Sequence, residues 1–280
     1  MLILAATPIG NLSDASPRLI EHLASIKFIA AEDTRTLLKL ARGLQVTLDA
    51  KLFSLHEHNE SERVAQLLEI AQTEDVMVVS DAGMPTVSDP GFVLVRAAIE
   101  AGIEVSIVPG PSAVLAALAV SGLPTDRFSF EGFLPRKSGE RKKLYQELLG
   151  DPRTLIFFES PHRIGASLKD AQTIFGSDRK ASVSRELTKK FEQTVRGTLA
   201  ELAIWAEEEP RGEIVLVIAG AVKEVTADVN SADLLSAVQT GKNSGLSLKQ
   251  SVAEVAAKYS VSKSELYQAV LDARAKDSNA

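Results

Sequence analysis

The chain has 280 residues, a formal charge of −6, 45% hydrophobic and 24% charged residues, and no cysteine. Lacking cysteine, it has no disulfide, no thiolate nucleophile and no cysteine-ligated metal; its four histidines, of which only His56 and His58 lie close in sequence, make a poor zinc set. No stretch approaches the roughly 20 apolar residues of a membrane helix, and the first apolar run lacks the basic flank of a signal peptide.

The expectation is therefore a cytoplasmic, non-membrane protein with room for two compact domains and a small third. In chain order the apolar patterns predict a strand over 2–7, helix 17–25, strand 28–31, helices 35–43 and 60–72, strand 76–80, helix 91–101, strand 104–108 and helix 111–121. Strand followed by helix, repeatedly, implies a mostly parallel sheet. A second α/β set follows: strands 128–131, 155–159, 181–184 and 214–218, with helices at 138–149, 161–175 and 199–208. Its sheet is expected to be more mixed. These patterns divide the chain into an N-terminal α/β domain over 1–110, a second α/β domain over 111–222 and a helical tail over 223–280, with a cleft between the two α/β domains.

In the tail, Ser247 caps an amphipathic helix, and Ser262 with Glu265 forms a capping-box pattern for the next. That outline fits a helix-turn-helix and equally a plain helical hairpin, because basic and acidic residues balance across the tail.

Three strand ends carry glycine- and proline-rich loops: ATPIGNL (6–12), SDAGMPTVSDPG (80–91) and VPGPSA (108–113). In an open α/β sheet, ligands settle beyond the carboxyl ends of the strands, so these loops predict one cleft. None is a GxGxxG or Walker sequence, which leaves a ligand read by shape and main-chain hydrogen bonds.

Charged clusters stand at three further strand ends: AEDTR (31–35), FFESPHRI (157–164) and SRELTKKFE (184–192). Asp33 is explained as a helix N-cap, worth about 1 kcal/mol, but that leaves Glu32 and Arg35 unexplained. Each cluster alone also reads as a surface salt-bridge group. Between Arg127 and Leu144, six basic residues face two acidic ones, which is either a solvated helix face or a nucleic-acid contact.

Taken together, these motifs, with GFLPRK (132–137) and GEIVLVIAG (212–220), resemble the tetrapyrrole-methylase superfamily of S-adenosylmethionine-dependent enzymes. Within it they look most like the branch that methylates the ribose 2′-hydroxyl of ribosomal RNA. The resemblance spans roughly 2–220 and implies a homodimer, S-adenosylmethionine in the inter-domain cleft, and a cytidine in the decoding region of 16S rRNA or the small ribosomal subunit as substrate. By motif position it assigns Pro8, Asp81, Met84, Ser112 and Ala113 to the cofactor, with Leu134 and Ile214 closing the cleft from the second domain. Asp33 or Glu159 is then the candidate proton acceptor. Arg35, Arg163 and Arg185 would hold phosphates or fix those carboxylates, and Arg136, Lys137, Arg141, Lys142, Lys143 and Arg163 would contact RNA. No metal is needed. The rival readings are a precorrin-type tetrapyrrole methyltransferase and a non-catalytic nucleic-acid-binding regulator.

Overall fold

The computed structural model describes residues 1–56, 60–208, 210–221, 231–259 and 261–277; His58 lies outside them. Residues 1–220 form one compact unit and 221–280 a second. The first unit begins with β1 (Leu2–Ala5), α1 (Pro17–Ser25), β2 (Phe28–Ala31), α2 (Thr34–Gly43), β3 (Lys51–Ser54), α3 (Glu60–Ala71), β4 (Val76–Val79), α4 (Phe92–Glu100) and β5 (Val105–Val108). The five strands are all parallel, in the order β3-β2-β4-β1-β5.

Every residue of β1 and β4 is buried, because alternate side chains enter two different cores. Leu2, Leu4, Val76 and Val78 pack with Leu67 and Leu94 of α3 and α4. Ile3, Ala5, Met77 and Val79 pack with Leu19, Leu23 and Leu37 of α1 and α2. The two helix pairs thus cover opposite faces, and the change of face falls between the neighbouring strands β1 and β4. Loops leaving such adjacent strands diverge and open a crevice at their carboxyl ends.

The chain continues through α5 (Ala113–Ser121), β6 (Phe128–Phe133), α6 (Ser138–Glu147), β7 (Thr154–Glu159), α7 (Ile164–Phe175), β8 (Lys180–Arg185), β9 (Gln193–Thr198), α8 (Leu199–Trp205) and β10 (Ile214–Ile218). The second sheet has the order β6-β7-β10-β8-β9. Only β6 and β7 pair in parallel; the other pairs are antiparallel. On one face Leu155, Phe157, Leu216 and Val183 pack with α6, α7 and α8. On the other, Ile156, Val215 and Val217 meet Val114, Ala117 and Leu118 of α5, together with Ile9 from the first lobe.

β3 and β9 were not foreseen. Each is an edge strand with polar or exposed positions, so neither carries the apolar run that marks an interior strand. The second unit holds α9 (Ser231–Asn243), α10 (Leu248–Tyr259) and α11 (Lys263–Asp277) around Val238, Val252, Val255, Leu266 and Val270. Ser247 Oγ accepts from Gln250 N at 3.3 Å and Ser262 Oγ from Glu265 N at 3.4 Å, so both helices start at the capping residues read from sequence.

Candidate active site

The three glycine-rich loops meet because their strands β4, β1 and β5 are neighbours. Thr7 and Gly83 exchange backbone hydrogen bonds of 2.9 and 3.1 Å, which ties the β1 loop to the β4 loop. A Cβ on Gly110 would stand 2.9 Å from that of Ala6, so the β5 loop lies hard against the β1 loop. Within 80–91, Gly83, Thr86, Ser88 and Gly91 all have positive φ (82°, 76°, 62° and 119°). For a β-branched threonine that is a genuine outlier, and such strain clusters where a loop is shaped for a ligand.

These loops and the second lobe enclose a cavity of about 110 Å³ whose lining includes Met84, Asp89, Ser112, Ala113, Phe133 and Phe158. Water occupies about 30 Å³ in the liquid, so a nucleoside-sized ligand would extend from this cavity into the open cleft. Ser112 caps α5, its Oγ accepting from Leu115 N at 3.5 Å. That contact is long, and the hydroxyl proton is left for another acceptor. With the free amides of the first helical turn it forms an anion-binding corner.

Acidic groups gather at the ends of β2 and β4. Asp33 Oδ1 and Oδ2 clasp Arg35 at 3.0 and 2.7 Å, and Oδ1 also takes Arg35 N at 2.8 Å. The guanidinium and this amide hold Asp33 down to about pKa 2. Asp81 Oδ1 accepts from Asp33 N at 3.1 Å, and Glu32 Oε2 accepts from Asp81 N at 3.2 Å, which cross-links the two loops. Desolvation, with Asp33's charge alongside, raises Asp81. Asp89 goes furthest: desolvation first, then the charges of Glu32 and Asp81, push it up to about 7 against a hydrogen bond from Ser80.

Of the residues assigned to the cofactor, Met84, Ser112 and Ala113 line the cavity. Pro8 is half-buried next to Ile9, and Asp81 is turned to the Asp33 amide. The assignment of the Leu134 and Ile214 side chains to the cleft is corrected: both are 2% exposed, in the core on the far face of the second sheet. The cause at Leu134 is a bulge between Phe130 and Phe133, where Gly132 takes φ 73°. The bulge inverts the side-chain alternation, so Phe133 joins Phe130 against Phe158, with ring centroids at 5.3 and 4.8 Å from it.

Glu159 is corrected too. Its side chain is fully buried, and its oxygens accept from Ser167 Oγ at 2.5 Å and Ser160 N at 2.6 Å while Arg163 pairs with it at 2.5 Å. It is a fastening of the β7–α7 turn, without access to a substrate proton. Arg163, which also donates to Leu134 O at 3.3 Å, is the other half of that fastening. Arg185 instead donates to the neutral Gln193 Oε1 at 2.7 Å.

The basic run divides. Arg136, Lys137 and Lys143 are exposed and Lys142 half-buried. Arg141, 3% exposed, donates through Nε to Asp170 Oδ2 at 2.9 Å and through Nη1 to Pro135 O at 3.0 Å. Its place in the RNA-facing set is corrected as well, because its Nε and Nη2 are committed to a buried carboxylate and its Nη1 to the backbone oxygens of Pro135 and Arg136. Sequence reading also passed over Asp89, Phe133 and Phe158. Asp89 stood in a loop already singled out, and an acid beside Pro90-Gly91 was the available signal.

Among the described residues no cluster of three or more His, Asp or Glu is placed to hold a metal, and no helix is long and apolar enough to cross a membrane. Two α/β lobes, one parallel and one mixed, closing strained loops and an aromatic pair over a cleft, define a two-lobed ligand-binding α/β protein of the methylase type. The family profile of Tetrapyrrole (Corrin/Porphyrin) Methylases matches residues 1–203, and the chain belongs to that family. It is 47% identical over 275 residues to the Ribosomal RNA small subunit methyltransferase I of Mycobacterium tuberculosis (strain CDC 1551 / Oshkosh), covering 98% of this chain and 95% of that one. The protein of the same name from Synechocystis sp. is 44% identical over 277 residues, covering 98% and 99%. The crystal structure of the methyltransferase CobJ superposes with a TM-score of 0.60 at 20% identity, over 79% of this chain and 94% of that one, a likeness of fold. The family's methyl donor is S-adenosylmethionine.

Proposed function

We propose that this protein transfers a methyl group from S-adenosylmethionine to 16S ribosomal RNA, at the ribose 2′-hydroxyl of a cytidine in the decoding region. The observation that carries this reading is the near full-length similarity to relatives named as small-subunit rRNA methyltransferases, joined to a cleft whose groups suit the donor. The 2′-hydroxyl and the cytidine rest on the motif resemblance. The donor supplies a methyl already activated on a positively charged sulfur.

The chain's own task is then to hold, orient and exclude water, and positioning of this kind is worth up to roughly 7–11 kcal/mol of barrier. Ser112 and the first turn of α5 would hold the donor's carboxylate. Met84, Phe133 and Phe158 provide apolar walls, which keep water from the reacting atoms. Asp89 is the cavity-lining carboxylate whose pKa, about 7, suits a proton acceptor or a partner for positive charge at neutral pH. Asp33, held at about 2, is a weak base. With Arg35 it serves to fix the loop, and Asp81 joins the β2 and β4 loops. Lys137, Arg136, Lys143 and Lys142 offer the phosphate-facing charge. The lobe division near residue 110 is supported by the packing of α5 on the second sheet.

A homodimer belongs to the same reading. Phe92 is 62% and Leu115 54% exposed on helices that begin at the cleft loops, and a second copy would cover such side chains. A cytoplasmic location follows from the substrate. The test is to map 2′-O-methyl groups in 16S rRNA from cells with and without this protein, and to follow methyl transfer to purified small subunits. A mark that persists in its absence, or no transfer, overturns the reading.

A further inference from the structure

We infer that a trough on the outer face of the second lobe, built around Arg211, Arg185, Trp205 and His162, is a single-stranded RNA subsite that holds nucleotides flanking the methylated one. This deepens the proposed function and rests on it for the identity of the RNA. A cavity of about 700 Å³ lies not in the cleft but here, where α7 begins and α8 ends, lined by Pro161, His162, Ala166, Ala206, Pro210 and Arg211. An adjoining one of about 230 Å³ is lined by Arg185, Gln193, Trp205, Glu208, Pro210 and Arg211. Sharing Pro210 and Arg211, the two form one continuous trough.

Its charge is what distinguishes it. Arg141, Arg153 and Arg163 of the same lobe are each paired with a carboxylate. Arg185 donates to the neutral Gln193 Oε1 and, at 3.5 Å, to the backbone oxygen of Arg211, with the Glu186 carboxylate acting on it through space. The Arg211 guanidinium and the His162 ring, both exposed, make no hydrogen bond or ion pair among the described residues. Among the charged residues that line it, the two guanidiniums outweigh Glu208, so the trough suits an anionic chain. Trp205 is half-buried and lines the trough, an aromatic side chain of the kind on which bases stack at about 1–3 kcal/mol each.

The trough is also preorganised and correctly placed. Glu186 Oε1 accepts from Glu213 N at 3.2 Å and from Lys189 Nζ at 2.9 Å, so the backbone beside Arg211 is fixed without the arginine side chain taking part. Ile214 on β10 stands opposite both Glu159 and Arg185, so the trough and the cleft share one end of the second sheet. Phe158 lines the cleft, and His162, four residues later, lines the trough. The rigid Glu159–Arg163 turn between them sets the distance. A strand whose target ribose enters the cleft would round this turn with its neighbouring nucleotides in the trough.

Trp205 is the chain's one tryptophan, so its fluorescence reads the trough directly. The full-length protein is titrated with a single-stranded oligoribonucleotide across a salt series, and Arg211→Gln, His162→Ala and Trp205→Phe are compared with wild type for RNA binding, donor binding and methyl transfer. Expected are saturable quenching, an RNA affinity lowered about fivefold or more by Arg211→Gln, and a salt slope shallower by about 0.7. KM for the subunit should rise with kcat and donor affinity unchanged, and Trp205→Phe should retain binding because a stacking face remains. Unchanged affinity and slope in Arg211→Gln, or methyl transfer to RNA without any tryptophan response, overturns the subsite. So does a KM defect seen on whole subunits but absent on naked RNA, which assigns the trough to a ribosomal protein. Should wild type methylate no 16S rRNA and yet show the RNA signature at Trp205, the proposed reaction fails and the subsite stands.

Discussion

Glu159 and Arg163 form an ion pair of 2.5 Å across a tight turn, four residues apart in sequence, with the carboxylate side chain fully buried and the guanidinium 26% exposed. The pair joins the last residue of β7 to the residue before α7, on the path between the cleft and the outer trough.

For Glu159→Gln the expected result is structural. Loss of charge-assisted hydrogen bonds costs roughly 1.5–3 kcal/mol, or about 5 °C in Tm for a unit of this size. Methyl transfer per folded molecule should stay within a few-fold of wild type. Thermal unfolding and single-turnover transfer measured on the same sample decide it; a hundredfold loss of transfer with an unchanged Tm would restore Glu159 as a proton acceptor.

The basic run gives opposite responses from neighbouring residues. Arg141→Ala strips the partner from Asp170 in a nearly dry site, with side-chain exposures of 4% and 11%, and should destabilise the fold by about 3–5 kcal/mol. The triple change of Arg136, Lys137 and Lys143 to Ala should leave Tm alone and flatten the salt dependence of RNA binding by about 2. Denaturant melts and salt-dependent titrations check both halves.

Asp89 predicts a pH signature of its own. Its folded pKa of about 7 lies above the ordinary aspartate value of 3.8, so between these limits the folded protein keeps a proton that the unfolded chain has released. Stability from this group is therefore complete below the unfolded value and is lost as pH rises through about 7. Asp89→Asn should be more stable than wild type at pH 8, with the difference vanishing near pH 4. Binding of the positively charged donor near neutrality is expected to release the Asp89 proton, and Asp89→Asn should abolish that release, read by calorimetry in buffers of different ionisation enthalpy. Identical proton release in the variant would remove Asp89 from the donor's surroundings.

Gly83→Ala tests the loop geometry. Its φ of 82° is unfavourable for an L side chain, and an added Cβ would touch Ile9 Cγ2 at 3.4 Å. The variant should lose about 1–2 kcal/mol of stability and bind the donor more weakly, whereas Gly102→Ala, also at positive φ (70°) but with nothing within 4 Å, should carry the backbone cost alone. Donor titration of the two variants separates strain from contact.

The sequence by itself determined the strand-helix alternation, the cleft at the strand ends and the family. Interior strands such as Val76–Val79 are apolar on both faces, loops that need positive φ select glycine, and capping residues mark the starts of helices, all within a few neighbouring residues. Tertiary structure alone decided which of those residues face the ligand. A bulge with Gly132 at its turn exchanges Phe133 for Leu134, and strand alternation cannot register it in advance. Arg141 reads as one more exposed cation until Asp170, 29 residues away, is folded against it. Asp89 looks like an ordinary loop acid until Glu32 and Asp81 close in around it. Periodicity is a local property of the chain, whereas burial and charge compensation depend on groups that only folding brings together.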